Sequence, residues 1–341
     1  MLKEAIAQVV AGGDLSRQEA TEVMRQIMEG MATDAQIACF ITALRMKGET
    51  VEEITGFTQV MREKVERVTV DSPVLDTCGT GGDGAHTFNI STAAALVAAG
   101  AGAVVAKHGN RSVSSKCGSA DCLSALGIDL TAEPPVVEKC LKEAGIGFFF
   151  APIWHKSMRY AIGPRKEIGI RTVFNILGPM TNPAGAQCQL LGVYDVALVK
   201  PLANVLKNLG STRAMVVHGL DGFDEITTTT RTWVSELKDG QVVDYELNPE
   251  DFGIPLAKKE DLTGGTAEEN ARLILDILGG KKGPARDIVL LNAGAALYVY
   301  GKAENLAESI KLAAQSIDTG AALAKLDSLR QCIQGKNESN A

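Results

Sequence analysis

Between Asp76 and Asp121 the chain carries two glycine- and hydroxyl-rich stretches, DTCGTGGDGAHTFNIST and KHGNRSVSSKCGSAD, separated by one alanine-rich helical run and a short apolar strand. The local order is strand, glycine turn, helix, strand, polar turn, which is the order of an α/β sheet with helical crossovers. Asp76, Gly79, Gly81, Gly82 and Gly84 follow directly on an apolar segment. Ser91 and Thr92 stand where the helix AAALVAAG must begin. Glycine permits positive φ and a close approach of backbone to an anion, and the free N–H groups at a helix N-terminus favour phosphate. These residues predict a multiply phosphorylated small molecule as ligand.

The run from Gly79 to Gly84 also fits GxGxxG, the dinucleotide fingerprint, but that motif needs an acid at the end of the next strand to bind a ribose hydroxyl. Here that strand, Val104 to Ala106, runs into Lys107 and His108. A base replaces the acid, so dinucleotide binding is rejected. The nucleotide P-loop is rejected too, because no Gly-Lys-Ser or Gly-Lys-Thr closes the loop. A lone glycine cluster is more often a plain turn. The second cluster reverses that preference: Lys107, His108, Asn110, Arg111, Ser112, Ser114, Ser115, Lys116 and Ser119 lie close together, with Gly109 and Gly118 for tight turns. Lys and Arg supply charge, and serines and amides supply short donors. Both clusters would lie at the carboxyl ends of strands, where open α/β sheets bind ligands.

A third constellation is VVHGLDGFDEIT, where a strand ends at His218 and a glycine loop presents Asp221, Asp224 and Glu225. Adjacent acids in a loop are usually just solvated. Beside two phosphate loops they predict Mg2+, which uses one or two carboxylates together with substrate phosphates and waters. Asp83, an acid inside an anion loop, fits the same cation or a sugar hydroxyl. A basic segment from Trp154 to Ala186 holds His155, Arg159, Arg165, Lys166 and Arg171. Its amphipathic part is expected to return to the N-terminal helices, with His155 and Arg165 facing the cleft. Arg165 suits a substrate carboxylate through its planar fork, and a solvated side chain loosely paired with Glu167 fits the sequence equally well.

Residues 1 to 65 read as helices only. Ser16 with Glu19, and Thr50 with Glu53, form capping boxes. Apolar stripes follow at Ala20, Val23, Met24, Ile27 and Met28, at Ile37, Phe40, Ile41 and Leu44, and at Ile54, Phe57 and Met61. From about residue 72 strands alternate with helices, with strands near 74–78, 103–107, 146–150, 188–194 and 213–218. This predicts a mainly parallel central sheet flanked by helices. Asp239-Gly240 predicts a hairpin at the sheet edge, and Ala267 to Leu329 reads as helices. The expected division is a small helical domain at 1–70, joined by part of 165–185, then a large α/β domain at 71–335 and a disordered tail at 336–341.

A net charge of −7 excludes a general affinity for nucleic acid or anionic membrane. No apolar run is long enough to span a bilayer, and the start lacks a signal segment, so the expectation is a cytoplasmic protein. Seven cysteines, odd in number and without CxxC, read as reduced thiols. Cys78 and Cys117 fall inside the ligand loops.

Over roughly Ala5 to Leu329 the chain resembles the anthranilate phosphoribosyltransferases of tryptophan biosynthesis. The matching pieces are GTGGDG, NIST, KHGNRSVSSKCGSAD, RKEIGIRTVFNILGPMTNPA, DGFDEIT, TAEENARLIL and GPARDIVLLNAGAALYV. The resemblance implies that phosphoribosyl pyrophosphate is bound by Gly79, Gly82, Asp83, Thr87, Asn89, Ile90, Ser91 and Thr92 and by Lys107, His108, Gly109, Asn110, Arg111, Ser112, Val113, Ser114, Ser115 and Ser119. It implies Mg2+ at Ser91, Asp224 and Glu225, and anthranilate at Gly79, Asn110 and Arg165. Lys107 and His108 would act in catalysis, and two copies would pair through their helical domains. Cys117 stands where the family frequently has serine. Two other readings share this architecture: a pyrimidine nucleoside phosphorylase, which needs no acidic pair, and a nucleic-acid-binding relative, which would be basic and stripped of ligand residues.

Overall fold

The computed structural model describes residues 1–112 and 116–335. The tail expected at 336–341 lies outside them. Four helices open the chain: α1 (Leu2–Val10), α2 (Arg17–Met28), α3 (Asp34–Lys47) and α4 (Val51–Lys64). The last three begin at capping boxes, two of them legible as expected. The third, Thr33 with Gln36, has the same spacing with Gln in place of Glu. Each cap satisfies N–H groups that the helix cannot, worth roughly 1 kcal/mol. Glu53 goes beyond its box. Fully buried, it accepts the amides of Leu15 (2.9 Å) and Thr50 (2.8 Å) and the Lys47 ammonium (2.9 Å), which ties α4 to the α1–α2 turn. The apolar stripes of α2, α3 and α4 share one core with Ala161, Val173 and Phe174 and with Leu191, Val193, Ala214 and Val216 from one face of the sheet.

The strands are β1 (Leu75–Gly79), β2 (Val105–Gly109), β3 (Ile146–Phe150), β4 (Cys188–Gly192), β5 (Arg213–Gly219), β6 (Thr232–Lys238) and β7 (Gln241–Leu247). They form one sheet in the order β3-β2-β1-β4-β5-β6-β7, parallel through β5 and antiparallel beyond. Strand β4 is buried along its whole length because helices cover both faces of the sheet, and its one polar side chain, Gln189, donates to the Pro179 carbonyl at 2.6 Å. Edge strand β7 is instead largely exposed. Its hairpin turns at Asp239 (φ 50°) and Gly240 (φ 72°), the two positive angles a type I′ turn demands.

The helix after β1 (α5, Ile90–Gly100) leads to β2 on one side, while β4 flanks β1 on the other. The strand order therefore reverses at the β1/β4 boundary. A crevice opens at the carboxyl ends of such a pair, because the connections leave in opposite directions. Helix α5 is almost wholly buried and built mainly from alanine, which brings the helices 284–300 and 321–333 close behind it.

Candidate active site at the carboxyl ends of the parallel strands

The first glycine cluster leaves β1 at the crevice. Gly81, Gly82 and Gly84 take φ of +63°, +76° and +72°. Gly79 serves a different need. It lies in register with Gly192 on β4, and a Cβ on either would collide with Asp224, on its carboxylate oxygen from Gly79 and on its carbonyl from Gly192. The two glycines thus form a recess into which the DGFDEIT loop drops. The Gly81 amide donates to Asp224 Oδ2 at 2.7 Å, and Thr80 N donates to the Gly192 carbonyl at 2.9 Å.

Carboxylates gather there. The Glu225 Oε1 accepts Ser91 N at 3.1 Å, and the Asp83 Oδ2 accepts Asp224 N at 3.4 Å. Burial and then the neighbouring Asp83 push the Asp224 carboxyl up to about 7. Burial and then Asp224 push Glu225 well above its ordinary value. The opposing cation is Lys107, whose Nζ donates to the Thr77 carbonyl (2.6 Å) and to Ser91 Oγ (3.3 Å). Burial lowers its own pKa, while Asp76 and Glu225 work against that. Lys107 thus answers Asp76 and Glu225, while Asp224 and Asp83 crowd further negative charge against Glu225.

Asp221 has a different task from the one its sequence neighbourhood suggested. Its Oδ2 accepts the hydroxyls of Thr227 (2.6 Å) and Thr229 (2.5 Å), so it braces the loop instead of facing the crevice. Asn292, fully buried, grips the same loop at Ile226, accepting its N–H (3.0 Å) and donating to its carbonyl (2.8 Å). Asn292 belongs to the motif LLNAG, yet nothing local in the sequence links it to residue 226.

The second cluster folds around Asp121. That carboxylate accepts Gly118 N (3.0 Å) and Ser112 N (3.4 Å) and pairs with Arg111 (2.6 Å). Ser119 Oγ donates to the Asn110 carbonyl at 3.3 Å, closing the base of the loop beside Gly109. Val113, Ser114 and Ser115 lie outside the described residues. Thr87 bridges to Thr263 in a short antiparallel contact, Ile90 is buried at the start of α5, and the buried Thr92 hydroxyl has no partner among the described residues.

His108 and His155 meet in a buried contact, Nε2 to Nε2 at 3.1 Å, so one ring donates and the other accepts. Burial, then His155 and Lys107, depresses His108 well below its usual range, and burial takes His155 to about 4. Both rings are therefore neutral near pH 7. Asp76 was visible in the sequence but without its function. Fully buried, it accepts His108 N (3.2 Å) and Asn182 Nδ2 (2.8 Å), and burial raises it to about 6 against the pull of Lys107. Arg165, half-buried on the helix Arg159–Ile168, stacks over Phe174 at 5.2 Å and does not pair with Glu167. Arg171 donates to the Gly82 carbonyl and lies 4.5 Å over the Tyr194 ring. Sequence reasoning had noted its charge but not this link between the basic segment and the glycine loop. No described group of three or more His, Cys, Asp and Glu side chains is arranged to hold a metal by itself.

A helical bundle beside a sheet whose switch-point crevice pairs two anion loops with adjacent carboxylates is a glycosyl transferase architecture. The chain matches a glycosyl transferase family a/b domain over residues 71–323 and that family's helical bundle domain over residues 3–65. A protein of Acetivibrio thermocellus named anthranilate phosphoribosyltransferase is 59% identical over 328 residues, 96% of this chain and 95% of that one. The crystal structure of the Thermus thermophilus anthranilate phosphoribosyltransferase superposes with a TM-score of 0.92 at 43% identity, over 97% of this chain and 99% of that one. The Saccharomyces cerevisiae enzyme, in complex with PRPP and Mg, gives a TM-score of 0.89 at 28% identity over 98% of both. The chain belongs to the anthranilate phosphoribosyltransferase family.

Proposed function

We propose that the chain transfers the phosphoribosyl group of 5-phosphoribosyl 1-pyrophosphate to the amine of anthranilate, releasing pyrophosphate, in tryptophan biosynthesis. The observation that carries this reading is the convergence of Lys107, the glycine loop and the Asp224-Glu225 pair on the N-terminus of α5. The residues fit Mg2+. Asp224 and Glu225 are half-buried acids held above their ordinary pKa values first by desolvation, then by Asp83 beside Asp224 and by Asp224 beside Glu225, and a hard cation relieves that repulsion. Asp224, Glu225 and Ser91 would hold it, and it would neutralise charge on the departing pyrophosphate.

The chain's own residues then bind and orient. Lys107, with the loops from Gly79 to Gly82 and from Gly109 to Ser115, holds the sugar phosphate and pyrophosphate. Asp83, Thr87, Asn89, Ile90, Thr92 and Ser119 complete this surface. Asn110 and Arg165 hold the anthranilate carboxylate beside Gly79. Attack of the neutral amine at the anomeric carbon expels pyrophosphate and inverts that carbon, and positioning supplies much of the acceleration. The proton leaving the amine passes to His108 or to water. The helical domain at 1–70, joined by part of 165–185, works against the α/β domain at 71–335, and two copies pair through their helical domains in the cytoplasm. No described helix is long and apolar enough to cross a membrane.

The test follows the loss of anthranilate fluorescence with phosphoribosyl pyrophosphate, with and without Mg2+. Metal-dependent consumption is expected. A well-folded protein that consumes none would overturn the reading.

A further inference from the structure

Among the described residues β1 and β2 share a single rung, Leu75 with Val105, although each is paired along its whole length on its other side, β1 with β4 and β2 with β3. A regular parallel ladder would continue with Thr77 opposite Lys107, the His108 amide donating to the Thr77 carbonyl and the Thr77 amide to the Ala106 carbonyl. Side chains engage three of those groups instead. The His108 amide donates to Asp76 Oδ1 at 3.2 Å. The Ala106 carbonyl accepts Asn182 Nδ2 at 2.7 Å. The Thr77 carbonyl accepts Lys107 Nζ at 2.6 Å.

The polar wedge enters from one face of the sheet and the lysine from the other. Thr77 Oγ1 donates to the Ser91 carbonyl (2.9 Å) and Lys107 Nζ to Ser91 Oγ (3.3 Å), so both side chains point toward α5. Strand side chains alternate, which sends Asp76 to the opposite face. There Asn182, 5% exposed, uses its whole amide: Nδ2 bridges Asp76 Oδ2 (2.8 Å) and the Ala106 carbonyl, and Oδ1 accepts the Ala184 amide (2.9 Å). Asp76, fully buried, accepts on both oxygens. Opening a buried rung is costly unless the freed groups find partners. One of those partners is the ammonium itself. With two of its three donors fixed on Thr77 and Ser91, the direction of the third is set.

We propose that Asp76, braced by Asn182, is a positioning residue: it holds β1 and β2 apart beyond Leu75 and so reserves the Thr77 carbonyl as the seat from which Lys107 meets the sugar-phosphate substrate. This rests on the phosphoribosyl pyrophosphate reading of the two loops. When the brace is lost the rung is free to close, the His108 amide takes the Thr77 carbonyl, and the Lys107 ammonium loses its inner anchor. The His108 ring keeps its own support on His155, so the anthranilate side is spared.

The experiment measures phosphoribosyl pyrophosphate affinity by calorimetry, both KM values, kcat and the thermal midpoint for wild type, Asn182→Ala, Asp76→Asn, Lys107→Met and the Asn182→Ala/Lys107→Met double variant, with crystal structures of wild type and Asn182→Ala. Asn182→Ala removes the brace and leaves every charge in place. Asp76→Asn keeps the acceptor for His108 and sets its amide against that of Asn182. Both are expected to weaken phosphoribosyl pyrophosphate binding about tenfold, the scale of a hydrogen bond to a charged group. The anthranilate KM and the kcat at saturating phosphoribosyl pyrophosphate should stay within about threefold. In the Asn182→Ala structure the His108 amide should lie on the Thr77 carbonyl, with Lys107 displaced. Once Lys107 is methionine, Asn182→Ala should cost little more affinity. Should Asn182→Ala not fold, Asn182→Asp takes its place, since it keeps the acceptor for Ala184 and repels Asp76. Unchanged affinity in the folded Asn182 variant overturns the proposal even where Asp76→Asn is weakened, because Asp76 would then act by its charge alone. So does an equally large loss in the Lys107→Met background. A wild type that neither binds nor turns over phosphoribosyl pyrophosphate sinks the functional reading instead, and the Asn182→Ala structure still decides the wedge.

Discussion

Replacing Gly192 by alanine puts a methyl group where the Asp224 backbone now runs. The added Cβ overlaps the Asp224 carbonyl and lies 3.3 Å from its Cα, so something must move. Strand β4 cannot easily retreat, since Gly192 sits between Gly79 on β1 and Val217 on β5. The loop must yield instead, against Asn292 on Ile226 (3.0 and 2.8 Å) and Gly81 on Asp224 (2.7 Å). A misplacement of about 1 Å at a reacting site costs on the order of 10²-fold in rate, and the overlap demands at least that. Overpacking costs about 1–3 kcal/mol, which lowers Tm by roughly 1–2 °C per kcal/mol in a chain of this size. The assay is kcat/KM from anthranilate fluorescence together with thermal melting. Gly84→Ala is the comparison. Its φ of +72° strains any side chain, but no atom lies within 4 Å of the added carbon. It should lose less than about tenfold, for a strain near 1–2 kcal/mol. Gly192→Ala with kcat/KM within about threefold of wild type and an unchanged Tm would show that the glycine recess does not set the carboxylates.

Three further outcomes follow from the same geometry. Because Asp224 and Glu225 have folded-state pKa values raised above their unfolded values, stability is lost as pH rises from about 4 through Asp224's value of about 7; Asp224→Asn with Glu225→Gln should therefore abolish turnover yet raise the metal-free Tm at pH 8, by at least about 3 °C, with little gain at about pH 4 and a partial one at about pH 5. His155 is depressed to about 4, so its contribution is complete above pH 6.5 and is lost as pH falls toward 4, on the order of 3 kcal/mol at the limit; His155→Gln should flatten the stability profile across that window, while buried Asp76, raised to about 6, contributes the opposite slope in both proteins. Asn292→Leu strands the buried amide and carbonyl of Ile226 and should cost about 2–4 kcal/mol in denaturant melts, with more Mg2+ needed for half-maximal rate.

The sequence by itself determined the parts of this protein that local physics governs. Capping boxes and apolar stripes marked α2 and α4, the alternation of strand and helix from about residue 72 marked the parallel sheet, and Asp239-Gly240 marked the edge hairpin. The glycine loop, the hydroxyl-rich basic second loop and the acid pair announced phosphate and a hard cation from residue type alone, because those ligands need backbone freedom and charge wherever they bind. Tertiary structure decided the rest. Asp221 looked like a third crevice acid until two threonine hydroxyls claimed it, and Arg165 turned out to rest on Phe174. Asn182, Asn270 and Asn292 had no legible role, since a buried amide is defined by partners 106, 181 and 66 residues away. Gly192 fell inside the strand expected near 188–194 with nothing to single it out, and its purpose exists only because Asp224 crosses it. Local pattern fixes which chemistry a segment is able to offer; only long-range packing, which excludes water and sets distances, decides which of those groups meet.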